Sequence, residues 1–225
     1  MKLGRLDFAA IGVVAGQGLL AAYVYGFGKT GRLPMHFGLN GQVDGWGDRT
    51  KLAAVIAAMT GLTALTYAAL PFLSRVRAAN VGDVGQTYAR ASLLAGPTLA
   101  SLLLAALGTG VIDPTGQGLR LPNLMMAFLA VIAIVLGALV GKTAPNPFVG
   151  MRTFWALRSR LAWDRSNRLL GRLWFWLGLL ALFTAPLAPQ PAGTTALIAA
   201  MLLSAVVAGV ESWRVWRDDP DRAPI

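Results

Sequence analysis

The chain has 225 residues, 56% of them hydrophobic and 13% charged, with a formal net charge of +10. A soluble domain carries about 25% charged residues. Half that share cannot clothe a globule of this size in water, so the composition excludes a disordered chain, a coiled coil and most soluble enzymes. It predicts an integral membrane protein. Cysteine is absent and His36 is the single histidine, which excludes disulfides, thiol chemistry and a multi-histidine metal site within one chain. No cofactor and no metal are expected.

A bilayer core of about 30 Å needs roughly 20 apolar residues in a helix. Six segments meet that standard: Leu6 to Phe27, Leu52 to Leu73, Ala91 to Ile112, Pro122 to Gly141, Leu169 to Leu187 and Thr194 to Trp213. The fold class is therefore all-α, a polytopic membrane protein with six transmembrane helices. The first segment follows Lys2 and Arg5 as a signal peptide would. Its apolar stretch is too long for a typical signal core and no clean cleavage site follows, so it reads as a retained span.

Lys and Arg placement sets the orientation. Fifteen of the twenty lie in the N-terminus, loop two (Ser74–Arg90), loop four (Lys142–Arg168), Arg172 and the tail, against five in loops one and three. Both termini are thus expected in the cytoplasm. Most of the excess charge is a topology signal, and direct nucleic-acid binding is not expected.

Charged residues are nearly missing from the spans. Asp7 and Arg172 sit near span ends, and Glu211 reads as an interfacial pair with Arg214 or Arg172. Gln17, Thr60, Thr63 and Thr66 are the notable uncharged polar residues of the first two spans. The threonines share roughly one face and can bond back to their own helix, so they favour helix packing over a solute path. Gly12 and Gly16 form one GxxxG, Gly137 and Gly141 another; both read as close packing within the bundle. Pro97 predicts a kink in the third span.

Two loops carry the remaining information. In loop one, Asn40-Gly41, Asp44-Gly45 and Gly47-Asp48 are successive turn signals around His36, Phe37 and Trp46. His36 with Asp44 and Asp48 allows a ligand contact, a weak metal site or a pH-sensitive pair. The plainest reading is that they fix the loop shape. In loop four, Asn146-Pro147 and Gly150 predict a turn and Thr153 a helix N-cap. A helix from Phe154 aligns Phe154, Leu157 and Leu161 on one face, flanked by Arg158 and Arg165, with Arg160 and Asp164 spaced to pair. Trp155 and Trp163 point elsewhere. This predicts a helix at the inner membrane surface, with arginines on lipid phosphates and tryptophans in the interface. It serves as a topology anchor or as a docking surface for a cytoplasmic protein.

The inner segment resembles the signature of the SdpI family of bacterial membrane proteins at Asn146, Gly150, Arg152, Thr153, Trp155, Leu157, Trp163, Asn167 and Gly171. Loop one is similar to a domain of unknown function that often precedes that signature. It matches at Pro34, His36, Phe37, Gly41, Asp44 and Trp46, with Val43 in place of a proline and Gly38 where a polar residue is common. The resemblance implies a bacterial plasma-membrane protein of the immunity or signal-receptor type. The family's namesake protects against a secreted toxin of its own kind and holds a transcriptional repressor at the membrane once toxin is bound.

The expected organisation is a two-span unit over 1–75, a linking loop and third span over 76–121, and an SdpI-like unit over 122–225. The expected contacts are Pro34, His36, Phe37, Gly41, Asp44 and Trp46 toward a secreted peptide toxin. Toward a cytoplasmic regulator they are Asn146, Gly150, Arg152, Thr153, Trp155, Arg158, Trp163, Asn167 and Gly171. No enzymatic activity is expected, and the oligomeric state is left open. The alternative is a small-solute transporter or channel using Gln17 and the span-two threonines.

Overall fold

The structure, a computed structural model, describes residues 4–37, 43–77, 83–112, 121–146 and 148–222. Helix α1 (Arg5–Phe27) leads into a hairpin of β1 (Leu33–Phe37) and β2 (Val43–Gly47). Then follow α2 (Arg49–Arg77), α3 (Asp83–Thr109), α4 (Leu121–Val140), the one-turn α5 (Phe154–Arg158), α6 (Arg160–Thr184) and α7 (Ala192–Asp218). Among the described residues, five helices, namely α1, α2, α3, α4 and α7, are long and apolar enough to cross a membrane.

Helix α6 is the departure. The segment expected as a separate span from Leu169 begins at Arg160 instead and ends at Thr184. Its first half carries Arg160, Asp164, Arg165, Arg168 and Arg172, so it falls short of the apolar standard that the other five meet. The helix expected from Phe154 is interrupted at Ser159, where the backbone is extended and the side chain caps α6; from Arg160 on, the basic stretch and the apolar stretch form one helix. Arg90, read as part of a loop, likewise lies inside α3, which starts eight residues before the expected boundary.

Two groups of helices form the body. Helices α1, α2 and α3 pack on one another, as do α4, α6 and α7, and α3 against α4 is the main seam between the groups. In the first group, Ala21, Val24, Leu52, Ala53, Ile56 and Ala105 make an apolar cluster at one end. At the other end Asp7 ties three helices together: its carboxylate accepts from Tyr67 Oη at 3.1 Å and from Arg90 Nη1 at 3.3 Å. It also accepts from the Gly4 N–H at 2.8 Å, closing the start of α1. Pairing satisfies a carboxylate that would otherwise be costly near the apolar layer.

The second group relies on small residues. A Cβ on Gly171 would stand 2.7 Å from the Gly137 carbonyl oxygen, and one on Gly178 would stand 2.7 Å from that of Ala130. The second GxxxG is therefore a helix–helix contact, α4 on α6, as its spacing suggests. The first is not: a Cβ on Gly12 or Gly16 would meet nothing within 4 Å. That glycine stripe faces outward, and the expected packing inside the bundle does not hold for it. Pro97 lies within α3, which continues through it to Thr109.

All six long helices run between the same two ends. The hairpin sits at one, where Leu33 joins the cluster of Val24 and Leu52. At that end too, Asn123 Nδ2 donates to the Ala185 and Ala188 carbonyls, joining the start of α4 to the end of α6. The loop after α4 lies at the other end, where the Ala144 N–H donates to the Gly85 carbonyl and Lys142 stands 5.1 Å over the Tyr88 ring. The start of α1 and the finish of α7 share this second end.

Candidate functional site

The hairpin end carries the first set of expected contacts. The chain forms two short antiparallel strands, with Pro34 opposite Trp46, His36 opposite Gly45 and irregular register around His36; the turn expected at Asn40-Gly41 lies outside the described residues. Asp44-Gly45 is not a turn but part of β2, because the strands approach closely there: a Cβ on Gly45 would lie 2.8 Å from that of His36. His36 Nδ1 and Asp44 Oδ1 are 2.5 Å apart, with side chains 73% and 51% exposed. Asp48 does not join them; its carboxylate accepts from the Lys51 N–H at 2.8 Å and caps the start of α2. Pro34 and Leu33 are buried, and Trp46 is half exposed with Arg32 5.9 Å from its ring centre. Gly41 lies outside the described residues, and Phe37 is placed only by its backbone in β1. The hairpin thus buries its apolar edge in the helix ends and presents His36, Asp44 and Trp46 outward.

The opposite end carries the second set, and here most of the expected contacts turn inward. Asn146 is buried and uses its whole amide. Its Nδ2 donates to the Ala144 and Val149 carbonyls at 2.8 and 2.9 Å, and its Oδ1 accepts from the Phe148 and Val149 N–H groups at 2.9 and 2.7 Å. One side chain thereby supplies the hydrogen bonds that an irregular buried loop must find. Asn167 does the same from α6: its Oδ1 accepts from the Met151 N–H at 2.6 Å and its Nδ2 donates to the Trp163 carbonyl at 3.0 Å.

Trp163 is 0% exposed and donates from its indole to the Thr143 carbonyl at 2.7 Å. The expectation that it rests in the membrane interface is therefore corrected. One ring plugs the space under the loop, and its single polar atom is spent there. Gly150 explains its own presence, with φ at +115° and a Cβ that would lie 2.5 Å from Asn167 Oδ1. Gly171 is the α4–α6 contact described above.

Residues 153–159 then lock onto the end of α7. Thr153 caps α5 by accepting from the Ala156 N–H at 3.1 Å, as its position predicts, and its hydroxyl lies 2.6 Å from that of Ser212. Phe154 meets Trp216 edge to face at 6.5 Å. Ser159 caps α6 at Ala162, 2.9 Å away, and donates to Asp219 Oδ2 at 2.5 Å, with both residues buried. Ser159, Ser212 and Asp219 were not singled out from the sequence. Only the Ser159 cap has a local signal; its link to Asp219 spans sixty residues.

What stays outward is an apolar and basic face. Phe154, Leu157 and Leu161 are 47%, 39% and 46% exposed, but the single helix expected to align them is interrupted at Ser159, which leaves Phe154 and Leu157 in α5 and Leu161 in α6. Arg152 is exposed, Trp155 is half buried, and Arg158 lies 4.1 Å from the Phe154 ring centre. Arg160 pairs with Asp164 at 3.3 Å, and Glu211 pairs with Arg214 at 2.8 Å, both as expected. Arg165, Arg168 and Arg172 complete the exposed basic edge.

The span-two threonines bond to their own helix. Thr60, Thr63 and Thr66 donate to the Ile56, Met59 and Leu62 carbonyls at 2.7 to 2.8 Å. Gln17 differs: it is buried, and neither amide atom has a partner among the described residues.

Residues 142–211 match the family model of the SdpI/YfhL protein family, a stretch from the start of the Asn146 loop through α6 and into the last turns of α7. No curated protein and no solved structure shows a significant match to the chain.

Proposed function

With residues 142–211 forming a segment of the SdpI/YfhL protein family, we propose a membrane immunity or signal-receptor protein of a bacterial plasma membrane. It has six spans, and its N- and C-termini are cytoplasmic. Helix α6 is the fifth span in chain order and α7 the sixth, with the arginine-bearing first half of α6 emerging at the inner surface. Two arrangements support this topology. The six long helices alternate between two ends, and the basic loop four shares its end with the start of α1 and the finish of α7. The cytoplasmic end of a membrane protein is the one enriched in Lys and Arg.

The hairpin, with His36, Asp44 and Trp46 outward, is the surface for a secreted peptide toxin. The face of Arg152, Phe154, Leu157, Arg158 and Leu161 is the surface for a cytoplasmic regulator or for lipid. The family match over the signature loop carries the reading. A challenge of cells lacking and re-expressing the protein with the secreted peptide toxins of related strains tests it. Loss of resistance in the deletion strain, restored by the full chain, is the expected result. Unchanged survival against every toxin overturns it.

A small-solute transporter is the second reading, favoured by the unpartnered amide of Gln17. Solute flux in proteoliposomes that is lost on Thr63→Val supports it over the first.

A further inference from the structure

Beside the α3–α4 seam the two helix groups stand apart, and a cavity of about 370 Å³ opens between them. That is within the size range of small-molecule sites, about 300–1,000 Å³. Helices α2 and α3 form one wall, α4 and α6 the other, and Phe148, Val149 and Gly150 of the signature loop line the end nearest that loop. The walls are mostly apolar. Three hydroxyls reach the lining, those of Thr63, Thr66 and Ser92, but each donates to a carbonyl of its own helix. The site therefore offers an occupant dispersion contacts and few hydrogen bonds. That suits a hydrocarbon chain better than a polar solute, whose desolvation would go uncompensated. Gly96 helps create the space, since a Cβ there would meet nothing within 4 Å.

The charge at the rim selects among apolar occupants. Ser92 bonds to the Tyr88 carbonyl one turn toward the signature-loop end. Over the Tyr88 ring lies the Lys142 ammonium, which is exposed and makes no ion pair among the described residues. Lys142 follows Val140 of the lining by two residues, and an apolar slot with a cation just beyond its end matches a molecule with a hydrocarbon tail and an anionic head. Basic pockets between membrane helices on the cytoplasmic side bind anionic lipid headgroups in this way.

We propose that this cavity holds the acyl chain of an anionic phospholipid, inserted between the two helix groups with its phosphate at Lys142. The lipid then acts as a wedge that the signature loop touches directly, through Phe148 to Gly150. The site is independent of the toxin reading and survives its failure.

Native mass spectrometry of the full chain in micelles, loaded with phosphatidylglycerol or with zwitterionic phosphatidylethanolamine, tests it. The wild type should keep one phosphatidylglycerol under activation that strips phosphatidylethanolamine, with at least a several-fold preference. Gly96→Phe should abolish the retained lipid by filling the slot. Gly18→Phe, on the exposed face of α1 where a Cβ also meets nothing within 4 Å, should keep it. Lys142→Gln, an exposed change that leaves the packing alone, should keep a bound lipid but bring the preference close to one. Equal retention of the two lipids by the wild type overturns the anionic occupant. A Gly96→Phe protein that keeps phosphatidylglycerol as well as the wild type places the lipid elsewhere and overturns the site. A wild type that retains no lipid leaves the cavity to a peptide or to a second copy, and overturns it as well.

Discussion

The two ends of the molecule use their motif residues in opposite ways. At the hairpin end, His36, Asp44 and Trp46 face outward; among the described residues, the side chain of His36 pairs with that of Asp44, and Arg32 lies over the Trp46 ring. At the signature end, Asn146, Gly150, Trp163, Asn167 and Gly171 are consumed inside, fixing the course of one loop over one helix. A sequence motif does not say which of these it is. At the signature end, the exposed residues are Arg152 and Leu157 of the motif, with Phe154 and Leu161 beside them. The inner motif builds a platform, and the outer motif presents His36, Asp44 and Trp46 while Pro34 is buried.

The comparison breaks most sharply at Trp163. If the platform depends on its buried ring, Trp163→Ala removes that volume and the indole bond to Thr143 together. The expected loss is about 3–5 kcal/mol, read as a fall in melting temperature of the purified protein and in its amount in membranes. A stable Trp163→Ala protein would mean that the loop holds without its plug and that the ring has another task.

The helical architecture was legible because membrane spans announce themselves by length and apolarity, and five of the helices meet that standard. The same rule misplaced α6. Charge in its first half looked like a separate surface helix before the span, while Ser159 supplies the cap that starts α6 and Asp219 anchors that cap from sixty residues away. No local pattern reports such a pairing. The hairpin escaped for a related reason. Glycine and aspartate weaken strand propensity, and the strands form because Leu33 is held in the helix cluster and Gly45 lets His36 pass close by. Thr153 was legible as a cap because capping is local. The inward turn of Trp163 and Asn167 was not, because it depends on where the loop after α4 returns.

The two GxxxG stripes sharpen the contrast within the membrane. Gly171→Ala places a methyl 2.7 Å from the Gly137 carbonyl oxygen, and α4 and α6 must separate to admit it. Overpacking of this kind costs about 1–3 kcal/mol. Gly12→Ala meets nothing and should leave stability unchanged or slightly raised, since alanine is the better helix former. Thermal unfolding of the two variants in the same detergent separates them. Equal destabilisation would mean that the outward stripe is packed against something in the membrane.

A smaller effect is expected at Ser159. Ser159→Ala removes the cap of α6 and the partner of Asp219 at once; the loss of a cap alone is worth about 1 kcal/mol. Limited proteolysis at the α5–α6 junction and in the tail should speed up together, because one hydroxyl secures both. Faster cleavage at the junction alone would show that the tail is held by other contacts.

The smallest change in stability, and the most telling for function, belongs to His36→Ala. Exposed ion pairs contribute about 0–1 kcal/mol. With its side chain 73% exposed, His36 should be replaceable with a shift of about 0.5 kcal/mol or less in unfolding. The hairpin stays anchored through Leu33, which the substitution does not touch. If the outer surface meets a secreted peptide, resistance to that peptide falls while the amount and melting temperature of the protein stay as they were. A loss of resistance that only follows a loss of protein would make His36 part of the scaffold. The two ends would then no longer differ in kind, because each motif would be spent on holding its own loop.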